Sequence, residues 1–298
     1  MKPLEKLRRT VQDISLALKT DASAYYKLLG DDVLEGLDEG FNSRQKDLWL
    51  NLGYWKDAHT YPEACTALAR KLAEWAQFEV DSVILDAGFG YGEQDLLWAR
   101  EYDFEKIYGV NVTPLHVKHG RMRIAAHGLE SRVDLRLASA TELPIDDASV
   151  DRVVALESAF HFNTRQKFLE EAWRVLKPGG RLAVADMLPL PGSKTNRLRQ
   201  KMKRRRFSIP DANMYDIGEY VARLLRLGFD DVVSESIAHY VYPGMYAYTE
   251  GRFMMGETRE SARVTLSEED VEACRGAERW GQLLGLDDYV LVSAVKPR

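Results

Sequence analysis

Residues 83–92 read Val-Ile-Leu-Asp-Ala-Gly-Phe-Gly-Tyr-Gly. The apolar run Val83 to Leu85 has the character of a strand buried on both faces. Asp86 ends it, and Gly88, Gly90 and Gly92 turn the chain tightly into a helix that begins near Glu93. Glycine serves where the backbone takes positive φ or where a ligand comes close to it. The pattern is Asp-x-Gly-x-Gly-x-Gly. A dinucleotide turn wants G-x-G-x-x-G, and Glu93 stands where its third glycine belongs. An acid two residues before the first glycine suits a ligand with a cationic amino group better than a pyrophosphate.

Working outward, strands and helices alternate from Asp81 onward. Strands are expected at Val83–Leu85, Lys106–Val110, Val133–Leu137, Val153–Leu156 and Arg181–Ala185. Helices are expected at Glu93–Glu101, at Leu115–His127 before Gly128, and at Arg165–Leu176 before Pro178-Gly179-Gly180. Such units build a parallel sheet with helices on both faces. The regularity ends at residues 187–215, which are basic and lack a strand pattern. A helix at Ile217–Leu227 then leads through Gly228 into a strand at Asp231–Ile237, and a last strand follows at Tyr289–Val295.

Upstream, Leu4, Leu7, Val11, Ile14 and Leu18 mark an amphipathic helix, and Pro62 opens another that runs to about Phe78. The first helix fits packing on the protein's own body; two heptads are too few for a coiled-coil seam, although a homodimer is compatible. About fifty residues between the last two strands are rich in tyrosine and methionine. They end in a helix that Ser267 and Asp270 could start as a capping box. The division expected is an N-terminal helical cap over 1–78 and a core over 79–298, with lid insertions at about 187–215 and 239–287.

The 298 residues are 45% hydrophobic and 29% charged, as in an ordinary globular protein, and the net charge of −5 disfavours a general nucleic-acid role. Cys65 and Cys274 form neither a disulfide framework nor a metal site, and read as buried thiols in a reducing compartment. No apolar run approaches the ~20 residues of a membrane span. The N-terminus lacks the apolar region of a signal peptide, so a cytoplasmic protein is expected.

Five stretches in order resemble the class I S-adenosylmethionine-dependent methyltransferases. They are Asp86–Gly92; Gly109-Val110-Asn111; Ser139–Pro144 followed by Ser149-Val150-Asp151; Ala155–Phe162; and Ala172–Gly180 leading into Ala185-Asp186. Together with Leu52-Gly53-Tyr54-Trp55 they are most similar to the small-molecule branch, which contains ubiquinone, tocopherol, sterol and secondary-metabolite enzymes. The resemblance implies a Rossmann-like, seven-stranded, mostly parallel sheet with an antiparallel final strand. It implies S-adenosyl-L-methionine as cofactor, with the glycine turn against its methionine part, Asn111 at the ribose, and Ala140-Thr141 at the adenine. Tyr54, Asp86, Gly88, Gly90, Gly92 and Glu157 complete the cofactor set. Asn111 and Ser139 depart from the acids common at their positions.

The implied reaction is methylation of a small, lipophilic or aromatic natural-product-like acceptor at a hydroxyl. Carbon or nitrogen methylation, and a binding module without turnover, are the alternatives. A hydroxyl must lose a proton, and histidine suits that task near neutral pH. His161, in the motif Glu-Ser-x-x-His, is the candidate base and Asp186 its assistant; a packing histidine and a turn-capping aspartate are the plain alternatives. Tyr54 and Trp55 serve equally as core aromatics. Lys194 to Arg206 holds eight basic residues in thirteen. It reads as a solvated lid helix, or as a contact for an anionic substrate, an acyl carrier protein or an anionic surface. No metal cluster is evident, and metal-independent transfer is expected.

Overall fold

The computed structural model describes residues 47–192, 204, 208–255 and 287–298. The helix expected over 4–18, the Ser267/Asp270 helix, Cys274 and the basic run other than Arg204 lie outside them. The elements in order are α1 (Tyr61–Ala76), β1 (Val83–Ala87), α2 (Glu93–Glu101), β2 (Lys106–Asn111), α3 (Pro114–Ala126), β3 (Val133–Leu137) and β4 (Val150–Leu156). There follow α4 (Arg165–Val175), β5 (Leu176–Leu188), α5 (Ile217–Leu227), β6 (Asp230–Ser236), α6 (Ala238–Met255) and β7 (Asp288–Val295). Short 3-10 turns at Ala159–His161 and Asp211–Asn213 lie in the connections.

Among the described residues seven strands form one sheet in the order β3-β2-β1-β4-β5-β7-β6. Strands β1 to β5 are parallel, and β7 runs antiparallel to both β5 and β6. This is the sheet that the resemblance implied. Successive strand residues face opposite sides, so the sheet divides its apolar residues between two cores. Ile84, Val154, Ala183 and Leu291 pack with Leu68 and Leu72 of α1, Trp98 of α2 and Ile124 of α3. Leu85, Val153, Val184 and Val292 pack with Phe168 and Leu169 of α4 and Leu224 of α5. Edge strand β6 is almost wholly exposed, and Asp230, Asp231 and Glu235 place charge along it, which discourages edge-to-edge pairing.

Two strands are longer than their apolar runs. β4 starts at Val150 because Val150 pairs with Leu176 before a register shift, and β5 therefore starts at Leu176. Pro178-Gly179-Gly180 thus ends α4 but not the strand. Gly179 donates to the Lys296 carbonyl at 2.8 Å, so the chain stays in the sheet through the glycines. The segment after β6 differs more. Residues 238–255 are helical, with Pro243 inside, where the sequence showed only an aromatic-rich cover.

Helix α6 docks on the N-terminal segment. Trp55 N donates to the Tyr240 carbonyl at 2.8 Å, and Tyr248 stacks on Tyr61 at 4.9 Å. Gly244 is the point of closest approach, where an added Cβ would overlap the Trp55 indole. Alanine there gains up to about 1 kcal/mol of helix propensity. The overlap with a rigid ring costs about 1–3 kcal/mol and wins. Gly244→Ala should lower the melting temperature by a few degrees, read by differential scanning calorimetry; an unchanged melt would mean that α6 is not seated on Trp55.

Candidate active site

The strand order reverses between β1 and β4, and in open parallel sheets a crevice forms there at the carboxyl ends of the strands. The glycine turn leaves β1 at this point. Gly88, Gly90 and Gly92 have φ of 92°, 56° and 80°, all in the left-handed region that glycine occupies freely. Gly88 N donates to the Val110 carbonyl at 2.8 Å, tying the turn to β2. A Cβ on Gly88 would fall 2.5 Å from Ser158 Cβ, and Ser158 Oγ donates to the Ala87 carbonyl at 2.6 Å. The residue after Glu157 is therefore clasped against the turn.

Asp86 is fully buried. Gln94 Nε2 donates to its Oδ2 at 3.0 Å, while Oδ1 receives no donor among the described residues. Burial pushes this carboxyl well above the usual carboxylate range. Asn111 ends β2, half-buried, and its Oδ1 accepts from Thr113 N at 2.9 Å. Beyond β3, Ser139 Oγ accepts from Thr141 N at 3.1 Å and lies 2.9 Å from Thr141 Oγ1, which shapes the Ala140-Thr141 loop. Ala140 is buried and Thr141 half-buried.

Glu157 follows β4 with φ of 52°, an uncommon conformation for a residue with a side chain. Its amide donates to the Ala185 carbonyl at 2.8 Å. Its Oε2 accepts from Leu52 N and from Tyr289 Oη, both at 2.8 Å. Burial pushes the carboxyl up to about 8 although both donors pull it down. One carboxylate thus joins β4, the Leu52–Trp55 segment and β7.

His161 closes the turn Ala159–His161 and is buried. Its Nδ1 lies 3.4 Å from the Ser208 carbonyl. A carbonyl oxygen only accepts, so this contact places the proton on Nδ1 and the lone pair on Nε2. The ring packs on Phe160 with centroids 4.0 Å apart.

Asp186 is the residue expected to assist His161. It is fully buried and ion-paired with the equally buried Arg165 at 2.7 Å, and it accepts from Met187 N at 2.9 Å. Burial raises its pKa although Arg165 pulls it down. Arg165 also donates to the Asn213 carbonyl at 2.7 Å, and its guanidinium faces the rings of Tyr215 and Tyr220 at 4.7 Å and 5.3 Å. Burial alone would weaken its charge; Asp186 and the two tyrosines outweigh that and raise its pKa. Asn213 Nδ2 in turn donates to the carbonyls of Phe160 and Phe162, on either side of His161. The buried knot therefore grips the His161 turn through its backbone.

Tyr54 pairs with Tyr240 at 5.1 Å, and Lys71 lies over its ring at 5.3 Å. Burial and Tyr240 push its pKa up to about 12. These contacts join it to α1 and α6, and none of them involves the glycine turn. Arg204, from the basic run, is buried and ion-paired with Asp211 at 3.2 Å.

Sequence reasoning missed Arg165, Asn213, Tyr289 and Asp95. Arg165 carried one clue, since a cation in the first turn of a helix has the wrong sign for the helix dipole. Asp95 carried none, because an acid in that turn is what the dipole favours on an exposed surface.

Residues 85–184 match the family described as "Methyltransferase domain". The erythromycin 3''-O-methyltransferase of Saccharopolyspora erythraea is 34% identical over 91% of this chain and 89% of its own length. The chain belongs to the S-adenosylmethionine-dependent methyltransferases. A second relative, the 27-O-demethylrifamycin SV methyltransferase of Amycolatopsis mediterranei, is 30% identical over 90% of this methyltransferase and 97% of its own length. In fold, the methyltransferase is similar to the cyclase SpnF (TM-score 0.65, 20% identity, 93% of this chain and 96% of that one). It is also similar to a putative sarcosine dimethylglycine methyltransferase from Galdieria sulphuraria (TM-score 0.65, 21% identity, 84% and 94%).

Its cofactor is S-adenosylmethionine, and the residues fit that molecule. The left-handed glycines keep the backbone of the turn bare of side chains, and Asp86 Oδ1 is a buried acceptor with no donor among the described residues. No helix among the described residues is long and apolar enough to cross a membrane.

Proposed function

We propose that the protein transfers the methyl group of S-adenosylmethionine to a hydroxyl of a small natural-product acceptor, of the kind for which its erythromycin and demethylrifamycin relatives are named, with His161 as base. The observation that carries this reading is the His161 contact with the Ser208 carbonyl, which puts the ring proton on Nδ1 and makes Nε2 the basic nitrogen. The cofactor supplies an electrophilic methyl carried on a positively charged sulfur. Asp86 and the glycine turn receive its amino-acid end, Asn111 its ribose, and Ala140-Thr141 its adenine.

His161 takes the hydroxyl proton at Nε2 while the Ser208 carbonyl holds Nδ1–H and fixes the ring. Asp186 acts at one remove. With Arg165 and Asn213 it pins the carbonyls of Phe160 and Phe162, and so the aim of the imidazole. The acceptor is a free small molecule in this reading, and the reaction belongs in the cytoplasm, where Cys65 stays a thiol.

The test is radiolabelled methyl transfer to a panel of macrolide and ansamycin alcohols that lack one O-methyl group. Label should appear on an oxygen, and an acceptor with that hydroxyl removed should take none. Label on nitrogen or carbon alone would move the function to the other transfer types. Cofactor binding without product from any pool would make the chain a binding module.

A further inference from the structure

Asp95 is a second carboxyl buried beside Asp86. It lies in the first turn of α2, fully buried, and apart from its own amide and Asp86 nothing among the described residues is hydrogen-bonded to its carboxyl. Its side chain meets that of Asp86, whose Oδ1 lacks a donor. The charged and titratable groups around the pair are otherwise committed. Glu93 is ion-paired with Arg123 of α3, and Asp47 faces the same arginine. His116 of α3 packs on Tyr91, and burial with neighbouring His119 pushes its pKa down to about 4. Gln94 gives its amide to Asp86. Across the crevice Glu157 is held by Leu52 and Tyr289. No cation among the described residues neutralises the pair. Two buried carboxyls in contact cannot both ionise cheaply, so a proton stays between them.

We propose that Asp95 is a positioning residue that works as a neutral acid: it donates a hydrogen bond to Asp86, and the pair carries a single negative charge when it receives the cofactor's ammonium group. The inference rests on the cofactor assignment and not on the acceptor. Burial raises both groups, and Gln94 donates to Asp86 while no side-chain amide donates to Asp95, which favours the charge on Asp86 and assigns the retained proton to Asp95. At lower pH the pair takes up a second proton, on Asp86, and loses its charge. Cofactor binding then requires that proton to leave for the solvent as an ammonium N–H takes its place. Affinity therefore climbs as pH rises through the Asp86 titration, by up to about tenfold per unit, and levels off above it.

The experiment is calorimetric titration of the full chain with S-adenosylhomocysteine, which carries the same amino-acid end, from about pH 5 to about pH 8. Buffers of different ionisation enthalpy count the protons released. Wild type should release up to one proton at the acid end and none at the plateau. Asp95→Asn keeps a donor toward Asp86 and should keep both the affinity and the profile. Asp95→Leu removes it, which should raise the Asp86 titration by about 1–2 pH units and weaken binding near neutrality by about 10–100-fold. Repeating the comparison in a Glu157→Gln background removes the other carboxyl that titrates in this span, and the shift should persist.

Equal losses in Asp95→Asn and Asp95→Leu would mean that Asp95 binds as a carboxylate, and would overturn the proposal, as would an unshifted profile in Asp95→Leu. Should the leucine variant not fold, infrared spectroscopy of wild type decides. A protonated-carboxyl band that is lost in Asp95→Asn, and is separate from the Glu157 band lost in Glu157→Gln, should persist in the cofactor-bound state; its absence from bound wild type overturns the proposal. No binding at any pH would instead strike at the cofactor assignment itself.

Discussion

Replacing His161 with alanine should lower turnover by about 10²–10⁴, the scale of a lost general base, and leave cofactor affinity nearly intact. The separation is expected because His161 sits on the turn after β4, whereas the proposed cofactor contacts are the glycine turn and the ends of β2 and β3. Single-turnover rates and calorimetry on the same variant read the two effects apart. The wild-type rate should rise with pH, since only the neutral ring accepts a proton. Glu157 offers a contrast. Its carboxyl is pushed up to about 8 and would accept a proton only when ionised. A rise centred there, with near-full turnover in His161→Ala, would transfer the base role to Glu157. A flat profile with an active alanine variant would favour an amine or carbon acceptor.

The second large effect is on stability. Arg165→Met leaves Asp186 fully buried without its counter-charge, and breaking such a pair costs about 3–5 kcal/mol. At about 2–4 °C per kcal/mol for a domain of this size, the melting temperature should fall by roughly 6–20 °C. Adding Asp186→Leu should recover most of the loss, because an apolar pair of similar volume is often as stable as a buried ion pair. A double variant no better than the single would show that the two charges do not depend on each other. The same cycle bears on catalysis. If the knot only stabilises, the double variant regains turnover with stability; if it aims His161, turnover stays low after the melt recovers.

The sheet was legible because parallel strands buried on both faces leave continuous apolar runs, as in Val83–Leu85 and Leu182–Ala185, and glycine punctuates their ends. The carboxyl-end placement of Asp86, Asn111 and Glu157 followed from the same pattern. What stayed hidden depends on contacts between distant residues. Leu176 joins the sheet only because Val150 lies opposite it, and the sequence shows a helix end and a Pro-Gly-Gly break. Helix α6 was obscured by Pro243 and by aromatics all round, which erase the 3.6-residue stripe that marks a helix with one wet face. Arg165 and Asp186 lie 21 positions apart, and nothing in the sequence pairs them until the fold buries both.

Strand β7 follows β6 in the chain yet lies between β6 and β5. During synthesis β6 therefore emerges with no sheet to join, and β5 waits with an open edge, until residues 288–295 arrive. At ribosomal speeds of about 5–20 residues per second, the stretch from Ser236 to Asp288 takes roughly 3–10 s to make. Throughout that interval the nascent chain presents two unpaired strand edges, and Glu157 lacks the Tyr289 hydroxyl. The enzyme is thus completed late, and a ribosome that stalls before residue 288 leaves an inactive, adhesive intermediate. Expression yield should depend on translation rate and on holdase chaperones more than the stability of the finished protein would suggest.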